Sequence, residues 1–223
     1  MSFSISAIMP QGTGQSVEIG HALPDVCPRC HRHIHPQPLT ATMSPDVMRV
    51  QVVFRCVVPA CAEIFIGNYV LVQSAGRYML NSLAPKTAVV PAIPETIKAV
   101  STRFVTVYSQ ASEAEAHGLD EMFGIGLRKA LEFLVKDYAI AEHPDKEAEI
   151  QKARLGKCIE DYVEDRGARE CAKRAAWLGN DETHYLRVWV DRDINDLKML
   201  LTLTMNWMNN AMLTKQYLGD MPE

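Results

Sequence analysis

Four of the chain's six cysteines fall in two tight pairs, Cys27 and Cys30 in CPRC and Cys56 and Cys61 in CVVPAC. Two short pairs across a long gap are the spacing by which two chain turns deliver four thiolates to one metal ion. Zinc suits this donor set, and four thiolates complete its tetrahedron with no position left for water or substrate. The expected zinc is therefore structural. His31, His33 and His35 follow at once in HRHIHPQP, but the ligand set is complete without them. They read as an exposed polar loop. Alternatively, with Arg29, Arg32 and Arg55, they form a face for an anionic partner.

A second group with chemical capacity is Gly179-Asn180-Asp181-Glu182-Thr183-His184. Gly179 predicts a helix end, which puts Asn180 and His184 in a polar turn. Histidine is the side chain best suited to move protons near neutral pH. The plainer alternative has Asn180 capping the helix and His184 closing a buried hydrogen bond. Arg128 and Glu132, four residues apart, share a helix face. They form either a surface ion pair or a cation that reaches the His184 turn from a neighbouring helix. Cys158 and Cys171 lie on apolar stripes and read as small buried hydrophobes. Glu160, Asp161, Glu164 and Asp165 read as a solvated face.

The elements that must position these groups are of two kinds. Gln15 to Ile19 suggests a short strand. Val50, Val52 and Phe54 alternate into Cys56, a β-type run covers Ile64 to Val72, and Arg77 to Leu83 suggests another strand. Residues 1–20 read as an extension, 21–83 as a small β domain of the zinc-ribbon kind, 84–94 as a linker broken by Pro85, Pro91 and Pro94, and 95–219 as a helical bundle. Within the bundle, periodicity predicts helices over about Glu95–Gly118, from Asp120 through Tyr138, Lys146–Asp165, Ala168–Leu178 and from Asp191 or Asp193 onward. Gly124 and Gly126 inside the second helix predict close contact with another helix, or a backbone approached by a ligand.

The formal net charge of the 223 residues is −4. Residues 1–90 hold six basic against four acidic side chains, and residues 91–223 hold 17 against 23. An acidic helical region argues against an indiscriminate phosphate binder. No apolar run reaches the ~18 residues of a membrane-spanning helix. The first residues lack the basic start and apolar block of a secretory signal. The expected setting is cytoplasmic, without membrane partners and with reduced thiols.

The order of CPRC, a second cysteine pair before β-rich sequence, a proline linker, LRKALEFL and then WLGNDETH resembles the bacterial family called domain of unknown function 4145, from about Cys27 to Met212. That resemblance implies an α+β protein, with an N-terminal zinc ribbon before a mainly α, HEPN-like bundle that dimerises. Active HEPN proteins are metal-independent RNases that use an Arg, an adjacent polar residue and a His. Asn180 and His184 match the last two. The Arg position is Gly179; Arg174 lies upstream, Arg187 lies after the His, and Arg128 is the surrogate cation on another helix. Two functions follow as expectations. One is a non-catalytic interaction module for nucleic acid, nucleotide or a protein partner, in phage defence or a mobile element. The other is an RNase toxin or defence effector using His184, Asn180 and Arg128.

Overall fold

Period-two alternation shapes the N-terminal region in the computed structural model, which describes residues 3–20, 23–89, 91–186 and 188–221. His21 and Arg187 lie outside the described residues. The protein is α+β, and the chain divides into two compact units, Met1–Thr87 and Ala88–Glu223.

The first unit holds strands β1 (Phe3–Ile8), β2 (Gly14–Ile19), β3 (Gln37–Met43), β4 (Arg49–Arg55), β5 (Ile64–Val72) and β6 (Arg77–Ala84). They close into a barrel in the order β1-β2-β6-β5-β4-β3. β3 to β6 form an antiparallel meander. The β1–β2 hairpin completes the circle by pairing parallel to β3 at Ala7↔Ala41 and to β6 at Ile19↔Tyr78. Alternate residues point inward, and Ala7, Ile19, Ala41, Val50, Val52, Phe54 and Tyr69 are fully buried. Phe54 and Phe65, directly opposed across β4 and β5, stack with centroids 5.5 Å apart. Gly67 leaves room for them: a Cβ there would stand 2.9 Å from Phe54 and 2.8 Å from Tyr69.

Two expectations need correction here. Residues 3–19 are not an extension ahead of the β domain but two of its strands, because FSISAI and SVEI supply the inward residues that close the barrel. β3 was hidden in a stretch that reads as proline-broken loop. Pro38 is tolerated because the register with β4 shifts between Pro38 and Thr40, a bulge that needs no ladder bond from proline.

The second unit is helical: α1 (Glu95–Val100), α2 (Thr102–Ala116), α3 (Asp120–Glu142), α4 (Glu147–Lys152), α5 (Leu155–Tyr162), α6 (Arg166–Asp181) and α7 (Ile194–Asp220). α3 packs against α2, α5, α6 and α7, with Phe123, Leu127, Leu131 and Leu134 in the core. The single first helix expected from periodicity breaks at Ser101. Its side chain accepts from Phe104 N at 3.2 Å and donates to Asp137, so it starts a new helix. The expected third helix divides at the extended residues Ala153 and Arg154, which lets Ile150, Leu155 and Ile159 all enter the core. α3 opens on Asp120 as expected, with Leu119 at its N-cap and no side-chain cap bond. Asp193 caps α7 through a full capping box with Asp196.

Four helical glycines act as contact points, and a Cβ on Gly124 would lie 2.8 Å from the Glu182 side chain. A Cβ on Gly126 would lie 2.7 Å from Ala111 of α2, so the helix contact expected in α3 is present. Gly179 was expected to stop a helix, yet Gly167 and Gly179 both lie inside α6. Each clears a side chain from another helix, Trp207 at 3.0 Å and Arg128 at 2.5 Å from the hypothetical Cβ. Gly118, with φ +69°, does end its helix.

Candidate functional site

The Cys27–Cys30 turn is built by backbone bonds from Cys27 N to Arg32 O at 3.1 Å and from His31 N to Cys27 O at 2.9 Å. His31 takes a left-handed φ of 56° to make it. The second turn leaves β4 at Cys56, whose N donates to Glu63 O at 2.9 Å, and folds Cys61 N back onto Val58 O at 2.9 Å. The sulfurs of Cys27, Cys30, Cys56 and Cys61 all lie within 4.8 Å of one another. Cys30 Sγ and Cys56 Sγ are 3.8 Å apart. Metal–sulfur bonds of ~2.3 Å in a tetrahedron give an edge of roughly 3.8 Å, whereas a disulfide needs ~2.05 Å. The four sulfurs therefore fit one metal ion and are not paired as disulfides.

Burial pushes the Cys56 thiol up to about 12. The Arg32 backbone hydrogen bond holds Cys30 below its ordinary value. A buried thiol this reluctant to ionise becomes a thiolate only beside a cation. None of the three loop histidines joins the cluster. His33 bridges Val26 through its backbone, and His31 Nε2 lies 3.3 Å from Thr87 Oγ1, which also donates to Pro28 O. Thr87 thus ties the end of the β unit to the first cysteine turn.

In the helical unit, Arg128 on α3 crosses to α6 over the Cβ-less surface of Gly179, and its Nε donates to Asn180 Oδ1 at 3.1 Å. Its Nη1 lies 3.7 Å from Glu132, which also meets Lys136 at 3.0 Å. Burial lowers the Arg128 pKa and Glu132 opposes that shift. Burial raises Glu132, but Lys136 outweighs it and the carboxyl sits below its usual value. His184 is exposed. With Asn180 it borders an open depression of about 690 Å³ that Arg128 does not line. The structure thus joins Arg128 to Asn180, sets His184 beside Asn180 on one rim, and leaves Arg128 and His184 without a direct bond. Asn180 follows a buried Gly179 inside α6 and does not cap a helix end, and His184 is not in a buried hydrogen bond.

Asp181, named in the polar group from Gly179 to His184, has no role of its own in the sequence reading. It is only 7% exposed, and its Oδ2 accepts from Val188 N at 3.0 Å and Trp189 N at 2.7 Å. The carboxylate pins the connector between α6 and α7, so that Trp189 stacks on Trp177 with centroids 6.1 Å apart and an interplanar angle of 7°. The available signal was an Asp beside a helix end with tryptophans on both sides.

Cys158 is fully buried, while Cys171 is only partly so. In the acidic face, Asp161 pairs with Lys157 and Glu160 with Lys173, both at 2.6 Å, and Asp165 caps α6. Among the described residues no helix is long and apolar enough to cross a membrane. The chain matches no protein-family model, no curated protein and no solved structure.

Proposed function

We propose that the four cysteines hold a structural Zn²⁺ and that the chain is a non-catalytic interaction module for nucleic acid, nucleotide or a protein partner, in which a metal-bound β unit is followed by a HEPN-like, dimerising helical bundle. The observation that carries the metal assignment is the cluster of four sulfurs within 4.8 Å of one another, enough protein ligands to fill a zinc tetrahedron. The non-catalytic part rests on Gly179, which stands where the resemblance to HEPN proteins calls for an arginine. A phosphorane needs a cation aimed at its developing charge, and removing such a donor typically lowers rate by ~10²–10³. The family resemblance also supports a homodimer and a setting in phage defence or a mobile element. Light scattering of the pure protein checks the dimer.

The 3.1 Å bond between Arg128 and Asn180 favours a second reading. Here Arg128 replaces the missing cation, Asn180 positions it, and His184 transfers the proton as the 2′-hydroxyl attacks the phosphodiester. Incubating labelled RNA with the zinc-loaded protein in buffer without added Mg²⁺ or chelator separates the two. Intact RNA together with measurable binding supports the module. Fragments with 2′,3′-cyclic phosphate ends that vanish in His184→Ala, and fall ~10²-fold or more in Arg128→Ala, establish the nuclease instead.

A further inference from the structure

We propose that the slot beside the Trp177–Trp189 pair binds a single flat heteroaromatic ring, a nucleobase, presented as a mononucleotide or as an unpaired residue of a single strand. This deepens the nucleic-acid reading above and rests on it for the identity of the ring.

Trp177 and Trp189 are 46% and 40% exposed and stack side by side, so together they present one open aromatic face. They are also held in place. Trp177 stands on α6, and Trp189 is fixed through its own backbone N–H by the buried Asp181 carboxylate. The two parallel rings border a cavity of about 360 Å³, the size of one small ligand. Met199 and Leu200 of α7 supply its apolar wall. A third ring entering here extends an existing stack.

The rim selects among flat ligands. Arg174 places its guanidinium 6.0 Å from the Trp177 ring centre, so a cationic guest of the aromatic-cage type would meet a like charge. Arg174 contacts Glu170 through Nη1 alone, at 2.5 Å, so the other donors of its fork are not consumed by that pair. Arg192, 3.5 Å from Asp196, makes the opposite rim. With each arginine partly matched by a carboxylate, the rim suits a neutral base bearing a phosphate at its edge rather than a dense polyanion. Asn180 and His184 share the neighbouring depression with the same two tryptophans. A strand with one base in the slot therefore runs its backbone past His184.

The test is NMR of the tryptophan indole N–H signals in the full chain, titrated separately with AMP, a short oligoadenylate, ribose 5-phosphate and choline. Trp207, 44% exposed on α7 and outside the slot, is the internal control. Saturable shifts of Trp177 and Trp189, but not Trp207, with AMP and oligoadenylate are expected. Trp189→Ala should weaken both by roughly 10-fold or more, and Trp189→Phe by less, since the smaller ring still stacks. No shift with either base-containing ligand, equal shifts of all three signals, or a response to choline or ribose 5-phosphate alone overturns the proposal. Single-strand binding undiminished in a folded Trp189→Ala variant also overturns it and leaves the nucleic-acid reading standing. AMP shifts from a protein that binds no RNA or DNA keep the slot and remove that reading.

Discussion

Arg128 and Gly179 make one device from two residues. The arginine reaches Asn180 only because position 179 has no side chain, since a Cβ there would lie 2.5 Å from Arg128 Cδ. Gly179→Ala should lower stability by about 1–3 kcal/mol through overpacking, although alanine is the better helix former. Adding Arg128→Ala should return that loss, because the clashing chain is gone. A thermal-melt double-mutant cycle measures the coupling, and purely additive effects would contradict the arrangement. The sequence pointed to Arg128, Asn180 and His184 as a group but could not join them, because the bond that unites the first two spans 52 positions. It misread Gly179 as a stop, since glycine gives the same signal whether it ends a helix or clears space for a neighbour.

At the level of elements, the long-period patterns were the legible ones. α3 and α7 present continuous buried stripes and lie where the apolar spacing placed them. The breaks at Ser101 and Ala153 were not visible, because the apolar period continues across each of them while the backbone changes direction. Among strands, β4 and β5 alternate cleanly, whereas β1 is short and β3 contains Pro38, so both look like loop until a partner strand is known. The cysteine turns bracket β3 and β4 and lead into β5, so the metal should hold these elements in register. Structural zinc contributes on the order of 10–16 kcal/mol in small domains. Chelation, or Cys27→Ser, should therefore erase the β contribution to circular dichroism while the helical signal survives. A chelated protein that keeps its β signal and protease resistance in residues 3–84 would falsify this role for the metal.

At the scale of the molecule, two compact units follow one another in sequence, with the change at Thr87 and Ala88 inside the proline-rich stretch that composition had marked. That boundary was legible because prolines and a switch of period coincide there. The extent of the β unit was not, because its first two strands gain their meaning only from parallel partners that arrive later in the chain, at Ala41 and Tyr78.

Closure of the barrel by the β1–β2 hairpin has a consequence for handling the protein. A ring of strands offers no free rim of peptide groups to a second molecule, and here only the first twenty residues complete the ring. Trimming them would bare β3 and β6 as sticky borders, and the shortened protein should sediment as growing aggregates where the intact one does not.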